Sequence, residues 1–133
     1  MKEPKWLLPD ILVAVHKTLL LEHGGVSGIR DEGLLESALN RPRTRFEYGQ
    51  RPSIFDLAAC YCNALAKNHP FIDGNKRIAL VAGALFLELN GFSLRAPEAE
   101  AVVIMRELAA GRLTEPELAA WLKRSSQSAM DPR

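Results

Sequence analysis

The chain is organised around the stretch HPFIDGNKR (residues 69–77), which leads directly into the apolar run IALVAGALFL (residues 78–87). An apolar run of this length, closed by Asn90-Gly91, predicts a buried central helix over Ile78–Leu89. Free N–H groups and the positive end of the helix dipole make the N-terminus of such a helix a natural anion site. The nine residues before the run therefore predict a loop that carries the chemistry of the protein.

Each polar residue of this loop suits a chemical role. His69 can accept a proton from an attacking hydroxyl, and Asp73 is a hard oxygen ligand of the kind that Mg²⁺ prefers when it also binds phosphates. The loop suggests phosphoryl-type transfer from a nucleotide–Mg²⁺ complex. A turned backbone, an amide and two cations can bind the phosphates: Gly74, Asn75, Lys76 and Arg77.

Two helix caps placed back to back are the structural alternative. His69-Pro70 would end one helix, and Asp73–Asn75 would cap the next. Capping alone requires neither a histidine before the aspartate nor two cations after it. A transition-metal hydrolase is a weaker hypothesis, because one His and one Asp are an incomplete ligand set. Phe71 is expected to be a structural anchor that pins the loop to the core.

Length and composition bound the protein class. A chain of 133 residues predicts a single domain over residues 1–125 and a disordered tail over 126–133. Seventeen Lys and Arg against sixteen Asp and Glu leave a net charge of +1, so no global field directs the protein to nucleic acid or membrane. The apolar run is too short to span a bilayer, and a cytoplasmic location is expected. Cys60 and Cys62 are expected to be reduced core thiols.

Apolar residues at helical spacing predict an all-α fold, a compact bundle of about six helices around the Ile78–Leu89 helix. Asp31 is a good N-cap for the second helix, which Pro42 is expected to end. Phe92–Ala96 is predicted to be briefly extended. The first helix is predicted over Pro9–His23, and capping-box patterns open later helices at Ser53 and Thr114.

The segment Arg41–Arg51 predicts a minor β-flap, because charged residues alternate with aromatic ones before Gly49. An exposed loop with solvated arginines is the structural alternative. Contact with nucleic acid is disfavoured, because the rest of the chain is not basic. The residues expected to contact a target from this flap are Arg43, Arg45, Phe46 and Tyr48.

The motif resembles that of the Fic/Doc family. Residues 69–77 match the family signature H-x-F-x-[DE]-[AG]-N-[GK]-R at every position, and Lys76 is typical of its death-on-curing (Doc) branch, the toxins of type II toxin–antitoxin modules. The resemblance covers roughly residues 10–125. Four flanking segments are also similar: Gly28–Asp31, Leu34–Ala38, Arg41-Pro42, and Ala84–Leu87 with Asn90-Gly91.

The resemblance implies a role for each motif residue. His69 would be the general base for the target hydroxyl, and Asp73 would bind Mg²⁺. The flap at Arg41–Arg51 would hold a target peptide against the site as an added strand. The phosphates of ATP would be bound by Gly74, Asn75, Lys76 and Arg77.

The resemblance also implies an activity. Fic enzymes with glycine at the position of Lys76 usually transfer AMP to a protein hydroxyl. The resemblance implies that the lysine of Doc occupies part of that phosphate site, so that ATP binds reversed and its terminal phosphate is transferred. The expectation is a protein kinase toxin that modifies a Ser/Thr hydroxyl of a translation factor, elongation factor Tu, and blocks translation. An AMP transferase and a catalytically silent partner-binding module are the alternatives.

The implied partner is an antitoxin with a disordered tail that folds on binding. Some Fic proteins carry their own inhibitory helix with the pattern [ST]-x-x-x-E-[GN]. Here Thr18–Glu22 is followed by His23, so inhibition from a separate protein is expected. A groove formed by the first helix and neighbouring apolar residues is the expected dock.

Overall fold

The computed structural model describes residues 2–49 and 51–128, which form six α-helices and one small antiparallel sheet. The predicted all-α fold class is confirmed. Among these residues, no helix combines the length and apolar character needed to cross a membrane. The elements in chain order are α1 (Pro9–His23), α2 (Glu32–Tyr48), α3 (Ile54–Asn68), α4 (Asn75–Leu89), β1 (Phe92–Leu94), α5 (Glu98–Ala109), α6 (Glu115–Arg124) and β2 (Ser126–Ser128).

Side-chain caps begin three of the helices where the sequence predicts them. The Asp31 carboxylate accepts the N–H of Leu34 and caps α2. Reciprocal capping boxes begin α3 at Ser53 and α6 at Thr114. These local hydrogen bonds explain why the helix starts are readable from sequence.

α3 and α4 share the centre of the bundle. α3 packs against α2, α4 and α6, and it is the more completely buried of the two. A Cβ atom at Gly83 of α4 would collide with the Sγ of Cys62 on α3, so the glycine permits the close approach of the helices. The thiols of Cys60 and Cys62 are buried and unbonded to each other, in agreement with the prediction of core thiols.

The prediction that Pro42 ends the second helix is wrong, and so is the prediction of a flap at Arg41–Arg51. α2 continues through Pro42 to Tyr48. A proline inside a helix costs about 3 kcal/mol, because it lacks the N–H donor and its ring crowds the preceding turn. Here the ring is buried, and tertiary contacts of the following residues stabilise the helical turn.

These contacts involve three of the four predicted flap residues. Arg45 forms an ion pair with Glu115 of α6, with 2.7 Å between the nitrogen and the oxygen. Phe46 lies edge-to-face against Trp6 with ring centroids 5.7 Å apart, and the guanidinium of Arg43 lies 5.5 Å from the Trp6 ring centroid. Arg43 and Phe46 are three residues apart and lie on the same side of α2, against Trp6, whereas Arg45 lies on another side against α6. The alternation of charged and aromatic residues therefore does not mark a strand here.

The β-structure lies elsewhere in the chain. β1 falls within the segment Phe92–Ala96 that is predicted to be extended, and it pairs with β2 so that Phe92 faces Ser128. The prediction of a disordered tail is therefore wrong for residues 126–128, whose backbone joins the ladder although their side chains are polar. The remainder of that tail, residues 129–133, lies outside the described residues.

Candidate functional site

The motif forms the connection from α3 to α4 and the first turn of α4. His69 is the C-cap of α3 with φ 49° and ψ 55°, and Gly74 is the N-cap of α4 with φ 75°. Both residues adopt the left-handed conformation, which turns the chain between the two helices. The turn creates an open cavity of about 410 Å³, lined by His69, Ile72, Asp73, Gly74, Asn75, Lys76 and Arg77.

The N-terminus of α4 presents hydrogen-bond donors and positive charge to this cavity. Gly74 has no side chain that could cap the N–H groups of the first helical turn. Lys76 and Arg77 are exposed, and neither forms an ion pair within residues 2–49 and 51–128. Free N–H groups, the helix dipole and two cations together suit a polyanion such as a phosphate chain.

Asp73 presents an exposed carboxylate that its neighbours keep ionised. The N–H of Val26 donates to Oδ2 at 3.1 Å, and the N–H of Gly74 donates to Oδ1 at 2.8 Å. These hydrogen bonds, with a smaller contribution from the charge of Arg77, hold the pKa of the carboxyl below its usual range. Each oxygen keeps a lone pair for a metal ion.

The donor set around Asp73 fits Mg²⁺ shared with a nucleotide. In the described parts of the chain, no three His, Cys, Asp or Glu side chains cluster as metal ligands. Mg²⁺ commonly takes one or two carboxylates, with water and substrate phosphates completing its coordination. Asp73 is therefore suited to hold Mg²⁺ together with phosphate oxygens bound at α4.

Asn75 contributes differently from the side-chain donor that the sequence suggests. Its side chain is buried, accepts the N–H of Phe71 at 3.0 Å and donates to the carbonyl of Phe71 at 2.9 Å. Phe71 itself is buried in the hydrophobic core. The amide of Asn75 therefore closes the loop onto its anchor, which leaves the backbone N–H of Asn75 to face an anion.

Arg30, for which the sequence predicts no role, fixes the position of His69. Its Nε donates to the carbonyl of His69 at 2.7 Å, and its Nη2 donates to the carbonyl of Asn68 at 2.9 Å. A cation at the last carbonyls of α3 also complements the negative end of the helix dipole. The sequence signals for Arg30 are its place in the family-like segment Gly28–Asp31 and a cation directly before the N-cap Asp31. Neither signal shows that the fold brings Arg30 to α3.

The α1–α2 loop, residues 24–31, braces the motif along its length. The carbonyl of Pro70 accepts the N–H of Arg30 at 2.7 Å and that of Asp31 at 3.1 Å. The N–H of Ile72 donates to the carbonyl of Gly28 at 3.0 Å, and Ile29 forms an antiparallel bridge with Phe71. Through these contacts the loop makes a short antiparallel pairing beside the motif.

The structure brings the motif residues together but keeps the predicted flap residues away from them. None of the flap side chains lines the cavity. Three of them stabilise the packing of α2, and Tyr48 is 82% exposed near the end of that helix. A target strand added at this predicted flap segment is incompatible with the helical backbone of residues 41–48. The four predicted flap residues, which all lie in α2, are Arg43, Arg45, Phe46 and Tyr48.

Comparisons with known proteins find one family profile and two curated relatives that match this chain. The profile of the Fic/DOC family matches residues 6–87. Protein kinase doc of Escherichia phage P1 is 37% identical over 83 residues, which is 62% of this chain and 66% of that protein. Toxin Doc of Mycolicibacterium smegmatis is 43% identical over 74 residues, 55% of this chain and 57% of that protein. The matched region thus spans less than two thirds of the length of either curated relative.

Proposed function

The chain belongs to the Fic/Doc family, and from that premise we propose that it is the toxin of a toxin–antitoxin module. The proposed activity is that of a protein kinase, which transfers the terminal phosphate of ATP to a Ser/Thr hydroxyl of elongation factor Tu and so blocks translation. The observation that carries this proposal is Lys76, an exposed cation without an ion pair in the described chain, at the position where AMP-transferring Fic enzymes have glycine. The names of two relatives, a kinase and a toxin, support it.

The proposed reaction assigns a task to each part of the site. His69 accepts the proton of the target hydroxyl while the hydroxyl oxygen attacks the terminal phosphorus. The bond from that phosphorus to the bridging oxygen breaks, and ADP leaves with the electron pair. Lys76, Arg77 and the N–H groups left uncovered by Gly74 bind phosphate oxygens. Asp73 holds Mg²⁺, which neutralises phosphate charge when bound.

Labelled ATP distinguishes phosphate transfer from AMP transfer. Purified protein is incubated with bacterial lysate and ATP labelled on either the alpha or the gamma phosphate. We expect label on a protein target only from the gamma position, together with an intact-mass gain of one phosphate. Label from the alpha position would contradict the kinase assignment and support an AMP transferase. In Lys76→Gly, we expect gamma transfer to be lost, because the cation that excludes the other ATP orientation is gone.

A catalytically silent binding module is the alternative from another functional class. His69→Asn removes the base, and asparagine tolerates the left-handed backbone better than alanine does. Expression of the wild-type chain is expected to arrest bacterial growth, and expression of His69→Asn is not. Growth arrest by a His69→Asn protein that folds normally would show that binding, rather than catalysis, is toxic.

An antitoxin is the proposed partner, and we assign it to the groove between α1, α4 and α5. This groove encloses about 390 Å³, has an apolar floor and shares Lys76 and Arg77 with the motif cavity. Its cations suit an acidic amphipathic tail that folds on binding. The residues of the apolar floor are Leu19, Leu80, Val81, Ala101, Val102 and Met105.

A matched pair of substitutions tests this dock. Val102 is 56% exposed in the groove, and Val102→Glu is expected to keep toxicity but to prevent rescue by a co-expressed antitoxin that rescues the wild type. Ala14→Glu is the control, since Ala14 lines a separate groove of about 730 Å³ between α1 and α2. Loss of rescue in Ala14→Glu alone would place the antitoxin in the α1–α2 groove instead.

A further inference from the structure

His16 is a buried polar residue outside the motif that contacts it in two ways. Its side chain is 3% exposed. Nε2 lies 2.8 Å from the backbone carbonyl oxygen of Asp73, and the ring stacks on Phe71 with centroids 3.8 Å apart and 15° between the planes. Because a carbonyl oxygen can only accept, Nε2 carries the proton and donates it.

This hydrogen bond controls the peptide unit between Asp73 and Gly74. The N–H of the same peptide donates to Asp73 Oδ1 at 2.8 Å, so both of its polar groups are bonded. His16 is buried and does not line the motif cavity, and the carbonyl that it binds therefore points towards the core.

Gly74 makes the orientation of this peptide easy to change. It has φ 75° as the N-cap of α4, and a glycine offers little steric resistance to rotation of the peptide before it. Rotation of that peptide would turn the Asp73 carbonyl towards the cavity. A carbonyl dipole facing the cavity would repel phosphate oxygens, since an anion site depends on donors that already point at the anion.

We propose that His16 is a positioning residue of the phosphate and Mg²⁺ site. By holding the Asp73 carbonyl in the core, it keeps the Asp73 carboxylate and the first N–H groups of α4 directed into the cavity. This role deepens the proposed function and rests on it for the identity of the anion. The structural alternative is that His16 only fills space beside Phe71.

Two substitutions separate the hydrogen bond from ring packing. His16→Phe keeps an aromatic ring against Phe71 but removes the donor. His16→Gln loses the ring but can place an amide nitrogen where Nε2 lies. Thr18→Val is the matched control, because it removes a 3.2 Å side chain to backbone hydrogen bond on the exposed side of the same helix.

Two measurements read out the position of the loop. Isothermal titration measures the affinity of the purified protein for Mg²⁺–ADP, and hydrogen–deuterium exchange without ligand measures protection of the N–H groups in residues 71–77. We expect His16→Phe to weaken binding about 10-fold, as loss of an outer partner of a metal ligand typically does, and to speed exchange in this segment. His16→Gln is expected to recover most of both properties, and Thr18→Val to match the wild type.

Two results would overturn the proposal. Wild-type binding and exchange in His16→Phe, with only a lower midpoint of thermal unfolding, would reduce His16 to a packing residue. Equal losses in His16→Phe and His16→Gln would show that the ring and the volume matter more than the donor. If the wild type does not bind Mg²⁺–ADP, the proposed function fails, whereas the exchange comparison still decides what His16 does.

Discussion

At the scale of single residues, the site depends on hydrogen bonds that the α1–α2 loop donates to the motif. Arg30 holds the His69 carbonyl, and the N–H of Val26 holds the Asp73 carboxylate. Because these donors belong to a segment far away in sequence, the geometry of the catalytic loop depends on correct docking of that segment. Substitutions in the loop should therefore affect the chemistry as well as stability.

Gly25 allows this segment to approach Asp73. A Cβ at Gly25 would lie 2.8 Å from Asp73 Oδ2, and the residue has φ 126°. Gly25→Ala is expected to displace the carboxylate and to raise the Mg²⁺ concentration for half-maximal phosphate transfer about 10-fold, the range found when supports of metal ligands are lost. Titration of transfer activity with Mg²⁺ measures this effect.

The neighbouring glycine supplies the control for this prediction. Gly24 also has positive φ, at 79°, but a Cβ there would meet nothing within 4 Å. Gly24→Ala should therefore carry a similar backbone strain of about 1–3 kcal/mol without displacing Asp73. The same increase in Mg²⁺ requirement in both variants would show that loop strain, and not contact with Asp73, is responsible.

At the scale of elements, two sets of contacts position the helices that carry the motif: the α3–α4 interface, and an ion pair between α2 and α6 that α3 also joins. α3 and α4 approach closely where Gly83 faces Cys62, and α2 is joined to α6 by the ion pair of Arg45 with Glu115. Asn63 on α3 also donates to Glu115 at 2.9 Å, so one carboxylate connects three helices. The motif connects α3 to α4, and their spacing therefore sets the width of its turn.

Gly83→Ala is expected to lower the free energy of unfolding by about 1–3 kcal/mol, the usual cost of overpacking a core. In a Cys62→Ala background the same substitution should be close to neutral, because the Sγ that the new methyl group would meet is gone. Urea denaturation of the four proteins gives the coupling energy, which should exceed about 1 kcal/mol. An equal cost in both backgrounds would place the steric conflict outside the α3–α4 contact.

At the scale of the whole molecule, stability depends on keeping three adjacent groups of α3 protonated. Burial raises the pKa of Cys60, Tyr61 and Cys62 to about 12 each, from ordinary values of 9.0, 10.0 and 9.0. In the unfolded chain these groups lose protons at lower pH than in the folded protein. The stabilisation that these groups contribute is therefore fully present below about pH 9 and is lost as the pH rises towards 12.

We expect the free energy of unfolding to fall between about pH 9 and pH 12, by about 1.4 kcal/mol per pH unit for each thiol. Denaturation with urea at several pH values measures this slope. The double variant Cys60→Ala and Cys62→Ala should lose most of the slope between pH 9 and pH 10, where Tyr61 contributes little. An unchanged slope in the double variant would assign the alkaline loss to other groups.

Much of the local structure could be predicted because its signals are short in range. The bounds of α1, Pro9–His23, and the caps at Asp31, Ser53 and Thr114 follow from residues within one helical turn. The motif was likewise readable, since His69–Arg77 is continuous in sequence. Local signals failed at Pro42, whose local penalty is offset by packing with residues distant in sequence.

By itself, the sequence determined the all-α class, most helix starts and the chemical groups at the α3–α4 connection. The tertiary structure decided how those groups are oriented. The bonds of His16, Val26 and Arg30 to the motif join residues 57, 47 and 39 positions apart. Such contacts form only when α1 and its loop pack on the motif, and no periodicity or cap in the sequence encodes that approach.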